Sequence, residues 1–238
     1  MIDLHEYESL ESTSKTLMDM AKEGAPAGTA VWAHTQSGGR GRLGRSFSSP
    51  EGGIYVSILL PLVADADSAI KVTAMAGVAV MRTIFQVCNK KCGIKWVNDI
   101  IHEDKKVCGI LAQGCAGKAV VGIGINYRTD LEKLPEDVRC LASGLYEPDE
   151  DAPDERMFTE ALLRNVWELC TIGDENWLEE YKSSSTILGK EVLILQAGKV
   201  TGSGTATKID DNCFLHVVGD DGKEMILSTG EVSIRNRK

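Results

Sequence analysis

Three short β-like segments, Ile94 to Ile101, Val107 to Gln113 and Ala119 to Ile125, are separated only by a charged turn, Glu103-Asp104-Lys105, and a glycine-bounded one, Gly114 to Lys118. Segments spaced so closely read as adjacent strands of one sheet, and the rest of the chain must fit around that sheet. Thr29 to Ala33 reads as a further strand, and Ile54 to Leu60, after Gly52-Gly53, is β-rich. Ile70, Ala74, Met81 and Phe85 support a long helix from Ser68 to Val87, in which Gly77 implies close packing. Glu11-Ser12-Thr13-Ser14 supplies capping hydroxyls to a short helix through Leu17, Met20 and Ala21, with Gly24 placed to end it. The acidic, proline-bearing stretch Glu147 to Glu155 reads as an exposed connector into a helix whose one face carries Phe158, Leu162, Val166 and Leu169.

Beyond Tyr181 the pattern changes. Ser183-Ser184-Ser185 reads as a linker, and from Gly189 short strands alternate with turns at Ala197-Gly198, Asp210-Asp211-Asn212 and Asp220-Asp221-Gly222. Five strands in about fifty residues make a small SH3-like β-barrel. The fold class is therefore α/β of the α+β type: a mixed-sheet domain packed with helices over residues 1–185, followed by the barrel over 189–238.

Composition narrows the function. The 238 residues carry a net charge of −9, which argues against a general polyanion binder because phosphate neutralisation needs a basic face. The longest apolar run, Ile54 to Leu62, is broken by Ser57 and Pro61, so no membrane helix is expected. The seven cysteines are scattered with no C-x-x-C pair, which fits reduced, mostly buried thiols. With no secretory pattern at Met1 to Glu6, a cytoplasmic protein is expected.

The anomaly is Gly39-Arg40-Gly41-Arg42-Leu43-Gly44-Arg45. It formally matches G-x-G-x-x-G, but Ser46-Phe47-Ser48-Ser49-Pro50 cannot open the helix that a dinucleotide site requires. Glycines let backbone approach a ligand closely and guanidiniums offer forked donors, so the loop suits an anion. Composition alone leaves open a flexible basic surface loop or an RNA-touching segment. A second element adds weight: Lys95-Trp96-Val97-Asn98-Asp99 gathers a cation, an aromatic, an amide and a carboxylate at a strand end, and Lys105-Lys106 adds charge nearby.

These residues resemble the biotin protein ligase family, the biotin-[acetyl-CoA-carboxylase] ligases, over nearly the whole chain. Glu11 to Ser14 looks like the family's E-S-T-N, Gly39 to Arg45 fits G-R-G-R-x-G-R, and Lys95 to Asp99 resembles K-W-P-N-D. Lys106 to Leu111 resembles K-[IL]-x-G-I-L, Gly122 to Asn126 fits G-x-G-I-N, and Gly230 to Ile234 looks like G-E-[IV]-S. The resemblance implies activation of biotin by ATP to biotinyl-5′-AMP with Mg²⁺, then transfer to a lysine of a biotin carboxyl carrier protein or domain.

By the same resemblance Lys106, Arg42 and Lys95 are the catalytic cations. Ser12, Thr13, Ser14, Gln36, Gly39, Arg40, Gly41, Arg42, Lys106 and Gly109 would receive biotin. Arg42, Arg45, Lys95, Trp96, Asn98, Asp99, Lys106 and Asn126 would serve the nucleotide, with Asp99 toward the metal. For Ser12 and Thr13 helix capping is an equal reading, and for Trp96 core packing is. The Arg loop is expected to order and close over its ligand, since its small residues make few apolar contacts.

Two positions depart from the pattern. Val97 stands where the family has Pro, which frees the backbone before Asn98, and Cys108 stands where Ala is usual. The chain starts at the catalytic motif, so a ligase without operator binding is expected, and the resemblance leaves monomer or homodimer open. The enzymatic competitor is a lipoate or octanoyl transferase, whose R-R-x-x-G-G pattern is missing here. A non-catalytic nucleic-acid module would need an aromatic-basic stripe, also missing.

Overall fold

The computed structural model describes residues 2–61, 66–196, 198–228 and 231–234. Its larger unit is a seven-stranded mixed sheet with helices on both faces. The strands are β1 (Asp3–Leu10), β2 (Thr29–Gln36), β3 (Ile54–Leu60), β4 (Gly93–Lys95), β5 (Asp99–His102), β6 (Lys105–Cys115) and β7 (Lys118–Ile125). They lie in the order β1-β2-β3-β7-β6-β5-β4, with β1 parallel to β2 and every other pair antiparallel.

On one face lies α1 (Thr13–Lys22), whose Leu17 and Ala21 pack with Val31, Leu59 and Val120. The other face carries α2 (Ala66–Cys88) and α4 (Glu155–Thr171), with the short α3 (Glu136–Arg139) between them in sequence and α5 (Trp177–Ser183) after them. Phe158, Leu162 and Val166 of α4 are fully buried, each worth roughly 1.5–3 kcal/mol against exposure. Arg82 of α2 donates to Glu180 of α5 at 2.9 Å and to Asp174 at 2.7 Å, fastening the two helices.

By length and composition α2 is apolar enough over Ser68–Cys88 to cross a bilayer. It is instead the core helix: Ala74, Ala76, Val78, Ala79, Val80 and Ile84 have no exposed surface. A Cβ on Gly77 would stand 3.6 Å from Ile94 Cδ1, so the helix lies at contact distance from β4. The cysteines are all free, but only Cys108, Cys170 and Cys213 are fully buried, and Cys140 is exposed.

The smaller unit is a five-stranded antiparallel sheet in the order β11-β10-β9-β8-β12. Its strands are β8 (Glu191–Gln196), β9 (Lys199–Ile209), β10 (Leu215–Val218), β11 (Glu224–Leu227) and β12 (Glu231–Ile234). The strand β12 carries most of the C-terminal motif and pairs with β8, while Gly230 lies outside the described residues.

Of the three serines expected as a linker, Ser183 ends α5 and the next two pair with the large sheet. Ile94 N–H donates to the Ser184 carbonyl at 2.8 Å and Thr186 N–H to the Ile94 carbonyl at 2.9 Å, giving the edge strand β4 a parallel neighbour. Likewise Ile94 to Ile101 is two strands rather than one: Trp96 to Asn98 forms the turn between β4 and β5. Asn98 causes the break, accepting Ile110 N–H with its backbone carbonyl at 3.0 Å and donating Nδ2 to the Ile110 carbonyl at 3.2 Å.

Candidate active site

At the start of α1 three hydroxyls enter the protein interior. Ser12 caps the helix by accepting Lys15 N–H at 3.4 Å, and Thr13 and Ser14 point at β3. Ser57, fully buried in β3, shares hydrogen bonds with Thr13 Oγ1 at 2.9 Å and Ser14 Oγ at 3.0 Å. Gln36 Oε1 accepts both Thr13 N–H at 2.8 Å and Thr13 Oγ1–H at 3.2 Å, while Gln36 Nε2 donates to Ser49 Oγ at 2.8 Å. Capping and site-building are thus compatible in Ser12 and Thr13. A buried cluster of this kind persists because every polar group has a partner.

Beside it the sheet lacks side chains. Gly109 is directly opposite Gly124, and Gly122 opposite Ser57, across neighbouring strands. The ring of Phe47, from the Arg loop, lies on this bare floor: a Cβ on Gly124 would meet Phe47 at 2.5 Å and one on Gly109 at 3.0 Å. A Cβ on Gly122 would fall 2.4 Å from Ser14 Oγ. The Arg loop folds back as a narrow hairpin, with Phe47 N–H donating to Gly39 O at 2.9 Å and Gly41 N–H to Arg45 O at 2.7 Å. Gly39 has no room for a side chain, since its Cβ would stand 2.3 Å from Phe47 O.

The cations meet at the far end of the floor. Lys106 Nζ is 2.6 Å from Asp99 Oδ1 and 6.0 Å from the centre of the Phe47 ring. Arg42 Nη1 donates to Asn98 Oδ1 at 3.1 Å, bringing the Arg loop onto the turn between β4 and β5. Lys95 is the cross-strand partner of Asp99 and shares its face. Asn98 is held on both sides by Ile110 backbone, so Val97 in place of Pro does not leave it loose; the Trp96–Val97 peptide is cis.

The structure therefore brings together Thr13, Ser14, Gln36, Gly39, Arg42, Asn98, Asp99, Lys106 and Gly109 along one glycine-floored trough. Four expected residues sit differently. Arg40 is exposed, with its guanidinium 4.0 Å from Glu11. Arg45 is exposed on the loop. Asn126 is buried behind Lys106, its Nδ2 donating to the Lys106 carbonyl at 3.5 Å. Trp96 is 3 % exposed with its indole N–H given to Cys213 O at 2.8 Å, the core-packing alternative.

Sequence reasoning overlooked Ser57, Ser49, Gly122, Gly124 and Phe47 as site residues. The signal for Ser57 was its place as the sole polar residue in Ile54–Leu60, and for Phe47 its isolation as the one aromatic in a Gly/Ser/Arg stretch.

Residues 7–130 match the biotin/lipoate A/B protein ligase family, and residues 187–235 match the biotin protein ligase C-terminal domain. A biotin--[acetyl-CoA-carboxylase] ligase of Mycobacterium tuberculosis is 30 % identical over 235 residues, covering 93 % of this chain and 85 % of that protein. The bifunctional ligase/repressor BirA of Bacillus subtilis is 34 % identical over 145 residues, 58 % of this chain and 45 % of its own length, so the chain spans under half of that relative. Among solved structures, a biotin protein ligase from Aquifex aeolicus in complex with biotin and ATP aligns over 100 % of both chains with a TM-score of 0.82 at 27 % identity. The trough, its motifs and these matches agree, and the chain belongs to the biotin/lipoate A/B protein ligase family.

Proposed function

We propose that this chain is a biotin protein ligase, joining biotin to ATP as biotinyl-5′-AMP and passing it to a lysine of a biotin carboxyl carrier protein or domain. The observation that carries the reading is the trough itself. One end offers buried hydroxyls and an amide, the middle is glycine beneath the movable Phe47 side chain, and the other end gathers Arg42 and Lys106. Biotin has the same polarity: a polar ureido ring, an apolar skeleton and a carboxylate. A buried ureido group needs hydrogen-bond partners, which Thr13, Ser14, Ser57 and Gln36 supply. The matching C-terminal domain favours biotin over lipoate.

In the first step a biotin carboxylate oxygen attacks the α-phosphorus, the acyl–phosphate bond forms, and the bond to the β-phosphate bridging oxygen breaks to release pyrophosphate. Both reactants are anions, so bringing them together requires fixed cations. Lys106 and Arg42 take the carboxylate and α-phosphate oxygens, and Lys95, on the face of Asp99, adds positive charge near the polyphosphate. In the second step the acceptor lysine amine attacks the acyl carbon, the amide forms, a proton leaves the amine and AMP departs. Closure of the Arg loop shields the anhydride from water.

Among the described residues no three His, Cys, Asp or Glu side chains cluster as a metal cage. A nucleotide-borne Mg²⁺ needs only one or two carboxylates beside phosphate oxygens, and Asp99 fits that role. Such an ion supplies charge that offsets the phosphates. Free thiols fit a reducing, cytoplasmic setting.

The test is mass spectrometry of a carrier domain incubated with the protein, ATP and either biotin or lipoate. A biotinyl adduct is expected; a lipoyl adduct alone overturns the reading. Biotin-dependent exchange of labelled pyrophosphate into ATP tests the first step, with loss of roughly 10²–10³ in rate expected for Lys106→Ala.

A further inference from the structure

The indole of Trp96, two residues before Asn98, is held by the other unit of the protein. Its acceptor, the Cys213 carbonyl, sits in the turn between β9 and β10, and Cys213 has φ +63°. Such a left-handed non-glycine residue needs support from its surroundings. Asp210 supplies it: Oδ1 accepts Asn212 N–H at 2.8 Å and Phe214 N–H at 2.9 Å, while its backbone carbonyl accepts Cys213 N–H at 2.9 Å.

Asp210 is itself held. Its Oδ2 is 3.2 Å from His216 Nε2, and the other ring nitrogen, Nδ1, is 2.9 Å from Glu224 Oε1. His216 is buried in β10, with Lys208 as its register partner on β9 and Ile226 on β11. Lys208 Nζ lies 4.0 Å from Glu224. Lys182 crosses at the same place, donating to Asp211 at 2.9 Å, and beside it Tyr181 Oη–H donates to the Val97 carbonyl at 3.3 Å within the larger unit.

Resting on the ligase reading, we infer that Asp210 and His216 are positioning residues for the nucleotide half of the site. They fix the Cys213 carbonyl, the carbonyl fixes Trp96, and the turn bearing Trp96 presents Asn98 to Arg42 and Asp99 to Lys106. The hydroxyl cluster that faces the biotin head is on the opposite end of the trough and makes no bond to this relay among the described residues.

The experiment uses the full chain and three variants: His216→Leu, Asp210→Asn and Trp96→Phe, with the double variant His216→Leu/Trp96→Phe. Pyrophosphate exchange gives KM for ATP, titration calorimetry without nucleotide gives biotin Kd, and all assays run well below each variant's melting midpoint. Each single variant is expected to raise the ATP KM by about tenfold while biotin Kd stays within about twofold. The double variant is expected to match Trp96→Phe alone, because the two act through one contact. An unchanged ATP KM in His216→Leu and Asp210→Asn, an equal loss of biotin affinity, or additive effects in the double variant overturns the inference. If His216→Leu does not fold, Asp210→Asn and Trp96→Phe decide by the same ATP-against-biotin split. Wild-type protein with no biotin-dependent exchange overturns the ligase reading and this inference together, whereas active wild type with indifferent variants overturns this inference alone.

Discussion

Lys106 Nζ rests 2.6 Å from Asp99 Oδ1 on the adjoining strand, so the cation expected to receive the biotin carboxylate is already neutralised by a protein carboxylate. Substrate and Asp99 therefore compete for the same ammonium group.

Asp99→Asn keeps the shape and removes that competitor. Calorimetry without nucleotide is expected to show biotin Kd unchanged or lower, while pyrophosphate exchange falls by roughly ten- to a hundredfold as the nucleotide loses its carboxylate. Weaker biotin binding would contradict the competition.

Gly124→Ala places a methyl group where the Phe47 ring lies, 2.5 Å from its nearest carbon. The backbone of Phe47 is held in the hairpin, but its half-buried ring is the far end of a side chain and can rotate aside, so the melting temperature is expected to change little. The trough becomes shallower, and biotin Kd is expected to rise by about tenfold or more. A large loss of stability with unchanged affinity would show that the glycine serves packing alone.

Ser57→Ala removes the partner shared by Thr13 and Ser14 at a fully buried position. Thr13 keeps Gln36, but Ser14 is left without its hydroxyl neighbour. Urea unfolding is expected to show about 1–2 kcal/mol of destabilisation, accompanied by weaker biotin binding.

The Asn176 backbone N–H and the Arg82 guanidinium hold the Asp174 carboxyl below its ordinary value of 3.8. Unfolding restores that ordinary value, so the unfolded chain binds protons first on acidification. The stabilisation is complete above about pH 4 to 5 and is lost as pH falls through the folded value. Urea midpoints measured from pH 7 to pH 3 are expected to decline less steeply at the acid end in Arg82→Ala than in wild type. Parallel slopes would show that the bridge has no share in acid sensitivity.

Much of the core was legible. β3, β6, β7, α2 and α4 carry their periodicity in apolar residues because both or one of their faces meet other elements. β1 was not seen: Asp3–Leu10 is an edge strand, mostly exposed, and its place beside β2 is set by parallel pairing rather than by apolar alternation. The turn Trp96 to Asn98 read as strand because Trp and Val are strand formers. What bends it is a pair of bonds to Ile110, twelve residues away, and no local propensity reports those. The motifs named the charged residues that meet at Asn98 and Asp99, since charge survives as residue identity. They did not tell which cations converge: Arg40 and Arg42 are two residues apart, yet Arg42 reaches Asn98 and Arg40 lies near Glu11.

Ser184 and Thr186, by pairing with Ile94, cap the outermost strand of the large sheet with backbone that comes after the last helix of that unit. Severing the chain just after α5 would strip this cover and bare the Ile94 amide and carbonyl on an open sheet edge, where another strand could pair. A fragment ending there is expected to self-associate more than one that keeps Thr186, and the serines serve as hem as well as connector.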